Sequence, residues 1–173
     1  MKRKSFWSLA AYIGVLVLAM STAAVAQGPT QLSFNGLIND YTAPSSGWEV
    51  RGEWSLSVQG DSGKADFSAE LNMVHSDIWL VVNGLTATRN EHTHHINLSD
   101  GVVTTLSNGF RVTGTATVTS NGSPAAFGGA SPVQIDITGG SSVAFSNIQI
   151  TFGSPGSGHF GSQALNGVVS NPK

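Results

Sequence analysis

Six Asn-Gly or Asp-Gly dipeptides, at 35–36, 83–84, 100–101, 108–109, 121–122 and 166–167, constrain this chain more than any other feature. Asn, Asp and Gly tolerate the positive φ angles that tight hairpin turns require. The segments between them are short, rich in Val, Thr, Ile and Phe, and alternate in polarity. No stretch shows helical periodicity beyond a turn or two, so the pattern predicts antiparallel strands joined by tight turns.

Side chains alternate across a strand. Trp48, Val50, Trp54, Leu56 and Val58 therefore share one face, and Glu49, Arg51, Glu53, Ser55 and Gln59 the other. Gly52 falls on the apolar face, where it marks a bend or makes room for a ring. After Asp61-Ser62-Gly63 the pattern repeats with Ala65, Phe67, Ala69, Leu71 and Met73, which predicts a hairpin. Ile78 to Val82 reads as a short buried strand after a kink at His75-Ser76-Asp77, and Thr86 to Glu91 as a polar connection. Asp100-Gly101 is expected to reverse the chain, pairing the segment before it with Val102 to Leu106. Further strands follow at 110–118, 133–137, 143–152 and 164–169, with loops at 120–132 and 153–161. Eight to ten short strands with no helix predict an all-β fold. We expect a small antiparallel barrel, with a two-sheet β-sandwich as the alternative.

The N-terminus carries Lys2, Arg3 and Lys4, an apolar run from Phe6 to Met20, and then Ala24-Val25-Ala26. That is the layout of a secretory signal peptide over residues 1–26, with cleavage expected before Gln27. Residues 27–173 then form one domain, secreted or periplasmic, with no membrane span after cleavage. Three of the eight Lys and Arg precede residue 27, leaving five against ten acidic residues and a formal charge of −5. No basic patch for nucleic acid is present. The absence of cysteine excludes disulfides, thiolate ligands and thiol nucleophiles.

Chemistry concentrates in Glu91-His92-Thr93-His94-His95-Ile96-Asn97-Leu98. On a strand, His92, His94, Ile96 and Leu98 share a face, and His95 points away from it. Alternate positions aim two imidazoles at a common point, the arrangement of two ligands for Zn, Cu, Fe or Ni. His159, in a glycine-flanked loop, is the expected third ligand, with His75 and Glu91 as further candidates. A pair of hydrogen-bonded core histidines is the competing explanation. His92-Thr93-His94 followed by Pro155-Gly156-Ser157-Gly158-His159 resembles the two-part metal signature of the cupins, which implies a metal held inside a small β-barrel. In this chain the acidic residue after the pair falls one position late, at Asp100, and the spacing of the second part differs. Ser157-Gly158-His159-Phe160 is similar to a tetrapeptide of the copper/zinc superoxide dismutases, whose cysteines and closely spaced metal histidines this chain lacks.

Two other classes of function fit. Trp48, Trp54 and Trp79 could line a cavity for an apolar or aromatic small molecule. The wide Ser, Thr and Asn faces also suit a structural or interaction protein of the envelope. No serine sits in a nucleophile-elbow pattern, and Glu49, Glu53, Asp66 and Glu70 occupy strand positions expected to face solvent. Whether the chain is an enzyme, its substrate and its oligomeric state stay open at this level.

Overall fold

The computed structural model describes residues 31–42, 48–82, 85–139 and 147–170, with the side chains of 76–82 and 85–91 outside that description. The expected signal peptide lies outside the described residues. In chain order the elements are β1 (Gln31–Tyr41), β2 (Trp48–Gln59), β3 (Lys64–Val82), β4 (Leu85–Leu106), β5 (Gly109–Ser120), β6 (Ser123–Pro124), β7 (Ala130–Thr138), β8 (Asn147–Phe152), α1 (Ser157–Phe160) and β9 (Leu165–Val169). Eight strands close an antiparallel barrel in the order β4-β3-β2-β1-β9-β8-β7-β5, with β4 pairing β5 and the two-residue β6 added beside β5. Each barrel strand neighbours the next one in sequence apart from β6, and β9 returns to β1. The barrel is the predicted architecture, and closure gives each of its eight strands a paired neighbour on both sides.

The interior is filled rather than hollow along most of its length. Inward positions of every barrel strand contribute to one apolar cluster, including Phe34, Trp54, Phe67, Leu71, Ile96, Val118, Ile135, Ile150 and Leu165. Small residues make room for the largest ring. Trp54 pairs with Gly36 on one side and Ala69 on the other, and a Cβ at Gly36 would meet its Cζ2 at 3.0 Å. The same Cβ would stand 1.9 Å from the Val168 carbonyl oxygen, and one at Gly52 would stand 1.9 Å from that of Glu70. These glycines allow backbones to approach where the sheet coils.

That steric role corrects the reading of the turn dipeptides. Asn108-Gly109 and Asn121-Gly122 do turn the chain, the latter with φ of 48° and 80°. Asn35-Gly36 and Asn166-Gly167 lie inside β1 and β9, at the seam where the barrel closes. Asp100-Gly101 does not reverse the chain. The histidine segment and Val102–Leu106 are one continuous strand, β4, interrupted by a register shift between Asn97 and Val102. Asp100 takes φ of 56°, its N–H donates to Asp66 Oδ1 at 3.0 Å, and its carbonyl accepts from Lys64 Nζ at 3.2 Å. A bulge absorbs the positive φ that sequence reasoning assigns to a turn.

The strands beside the histidines are also longer than expected. His75-Ser76-Asp77 is a register irregularity within β3, and 86–91 belongs to β4. β2 ends its pairing at Trp48 opposite His75, while β3 and β4 pair onward to Val82 and Leu85 as a ribbon. Asn83-Gly84 lies outside the described residues.

Candidate metal centre

One end of the barrel gathers the start of β2, the inner end of the ribbon, the end of β5 and the loop after β8. On β4, alternation turns His92 and His94 inward, opposite Met73 and Leu71 of β3. His94 is 1% exposed and His92 is half-buried. The 153–161 loop, expected to be irregular, contains the single turn α1, which brings His159 over the barrel end. Four residues cannot hold a helix by themselves, so packing must position this turn. Phe160 is fully buried, stacks on Phe152 with ring centroids 4.2 Å apart and meets His94 edge-on at 4.9 Å. Burial of such a ring is worth about 1.5–3 kcal/mol. On one side of α1, Gly156 N–H donates to the buried Ser131 Oγ at 3.2 Å. On the other, Gly161 at φ 92° passes so close to Thr42 that a Cβ would lie 2.0 Å from its carbonyl oxygen.

The three imidazoles converge through the same atom. His159 Nε2 lies 2.8 Å from His94 Nε2 and 3.3 Å from His92 Nε2, and one nitrogen from each ring falls within 4.8 Å of the others. The tautomer of His94 follows from its other nitrogen, which lies 3.0 Å from the Thr119 carbonyl oxygen. A carbonyl only accepts, so His94 Nδ1 carries the proton and neutral Nε2 presents a lone pair. In the absence of an ion, His159 Nε2–H donates to that lone pair at 2.8 Å. Three ring nitrogens thus face one another, and one cation among them would be ligated by all three. Nitrogens held about 2.0–2.1 Å from a tetrahedral ion stand about 3.3 Å apart; of the two separations from His159, the longer fits as it stands and the shorter opens by about half an ångström, and the His92–His94 separation, within 4.8 Å, adjusts to the same value.

Electrostatics favours neutral rings. Burial, then the neighbouring His159 and His92, holds His94 down to about 4, although the Thr119 hydrogen bond pulls the other way. Burial and then His92 lower His159 as well. Neutral imidazole is the ligating form, and a donor fixed at its second nitrogen is the usual support of a metal-binding histidine.

The structure therefore brings together His92, His94 and His159. His75 sits on β3 two residues beyond Met73, against Trp48 at 4.8 Å, and does not join the group. His95 faces outward, 3.7 Å from Glu70. The side chains of Glu91 and Trp79 lie outside the described residues. Trp48 and Trp54 do not share one wall: Trp54 is buried in the core beside Phe67, and Trp48 stands at the histidine end, 5.4 Å from His92. The concavities with lining residues such as Leu37, Glu53, Glu70 and Asn72 lie along the outer face of β1–β3. Sequence reasoning missed Thr119, whose contribution is a backbone carbonyl and carries no side-chain signal, and Phe160, whose aromatic character beside His159 was the available one.

No protein-family model matches the chain, and neither a curated protein nor a solved structure matches it. The resemblance to cupins stops at the histidine motif, because a meander closed on itself is not the double-sheet jelly roll of that family.

Proposed function

We propose that this is an exported protein that binds one transition-metal ion through Nε2 of His92, His94 and His159, as a metal carrier or as the seat of a metal-dependent reaction. The observation that carries the reading is the convergence of three imidazole Nε2 atoms, one of them with its tautomer fixed by the Thr119 carbonyl. Three histidine ligands leave a coordination position for water or a substrate, as catalytic sites require. Export rests on the signal-like N-terminus. Among the described residues, no helix is long and apolar enough to cross a membrane.

Elemental analysis of the mature protein, purified without an affinity tag or chelator, tests the metal. We expect close to one equivalent of Zn, Cu, Fe or Ni, lost in the His92→Ala/His94→Ala variant. No retained metal after soaking and desalting would leave the histidines as a structural cluster. N-terminal sequencing of protein from the exported fraction tests the compartment, with Gln27 the expected first residue.

A further inference from the structure

The one sulfur-bearing side chain in residues 27–173 belongs to the strand partner of His92. The chain has no cysteine, and of its three methionines Met1 and Met20 precede residue 27. The third, Met73, is 1% exposed on the inner face of β3 and is the direct partner of His92 on β4. Opposed residues of antiparallel strands hold their Cβ atoms about 4.5–5.5 Å apart. A methionine side chain, with three rotatable bonds, spans such a gap easily. The other inward positions around the barrel are filled by Leu, Ile, Val, Phe, Ala and Trp, so the single thioether of the core coincides with the histidine end.

The rest of the surroundings points the same way. Among the described residues, no carboxylate joins the three histidines, and the three imidazole donors are neutral ligands. Phe160, Phe127 and Trp48 pack their rings against those imidazoles. The cost of placing an ion in such surroundings grows with the square of its charge, so a dication without an anionic ligand costs about four times as much as a monocation. A thioether is a soft donor that suits Cu(I), and imidazole suits copper as well.

We propose that the site takes monovalent copper, held by His92, His94 and His159 with the Met73 sulfur as a fourth donor. This rests on the metal-binding reading above and goes beyond it in naming the ion and the ligand. Binding involves no change of oxidation state.

The test is a pair of affinities measured on untagged protein under anaerobic conditions. Cu(I) is competed against a chromophoric Cu(I) chelator and Zn(II) against a zinc indicator, for wild type and for Met73→Leu. Leucine preserves the core volume. We expect wild type to hold one Cu(I) and keep it against equimolar Zn(II). Met73→Leu should weaken Cu(I) at least tenfold and change Zn(II) less than twofold. A methionine that only filled space would move both affinities together or neither, and either result overturns the proposal, as does Zn(II) displacing Cu(I). Should the variant fold poorly, selenomethionine labelling puts one selenium in the mature chain. Copper-edge X-ray absorption must then show a selenium neighbour, and its absence rejects the ligand. If wild type binds Zn(II) and not Cu(I), the triad stands and this proposal falls. If it binds neither, the metal-binding reading falls with it.

Discussion

The inner face of β4 is one row with two chemistries: His92 and His94 at one end, Ile96 and Leu98 at the other. Three of the four side chains are buried to the same degree, His94 at 1%, Ile96 at 0% and Leu98 at 2%. At the Leu98 end the fit is steric. A Cβ at Gly114 would meet Leu98 Cδ1 at 2.5 Å, and one at Gly101 would meet Leu98 Cδ2 at 2.9 Å. At the His94 end a polar ring is buried against Phe160, with its Nε2 aimed at another histidine. Apolar side chains fill the rest of this barrel, so closure does not explain the histidines. The two halves should respond differently to perturbation.

Phe160→Ala should have the largest effect. It removes the ring that docks α1, costing about 3–5 kcal/mol in denaturant unfolding, and it should abolish metal retention by releasing His159. Leu98→Ala should cost about 2–5 kcal/mol, because the glycines around it cannot fill the void. Unlike the first variant, it should retain wild-type metal stoichiometry. Loss of the metal in Leu98→Ala would show that the two halves are one coupled unit.

Acid should separate the halves next. The unfolded chain protonates His94 near the ordinary value of 6.5, and the folded protein does so only at about 4. The unfolded state binds more protons between those values, so apo stability should fall as pH drops through that window and level off below it. Chemical unfolding of the metal-free protein across that range would show the slope, and His94→Leu should flatten it. His159→Ala should cost the apo protein only about 1 kcal/mol, the size of an ordinary substitution at a half-exposed site, while removing the metal-induced rise in Tm expected of the wild type. His95→Ala, on the exposed outer face 3.7 Å from Glu70, should change stability by less than about 0.5 kcal/mol and leave metal content untouched.

Much of this contrast was legible in the residues. The period of two assigns His92, His94, Ile96 and Leu98 to one face and His95 to the other, and the β2–β3 hairpin follows from two matching alternations around Asp61-Ser62-Gly63. The glycine dipeptides misled in part, because glycine serves two needs. At Asn121-Gly122 it permits a turn, whereas Gly36 and Gly167 admit neighbouring carbonyl oxygens at the barrel seam. Which need applies depends on strand order, a long-range property. The arrival of His159 at the other two histidines depends on it as well, since 65 residues separate it from His94. The glycine-rich loop marked His159 as a candidate, but only barrel closure brings β8 and α1 to the end where β4 presents its imidazoles. The Thr119 carbonyl was illegible because every residue has one, and the pairing of Met73 with His92 needed the register of β3 on β4.

The most direct test is an anomalous difference map from crystals of the untagged mature protein grown with one equivalent of metal and measured at the metal edge. The account predicts a single strong peak among His92, His94 and His159, about 2.0–2.1 Å from each Nε2. A map with no peak there, with the imidazoles hydrogen-bonded to one another or to water, would contradict it.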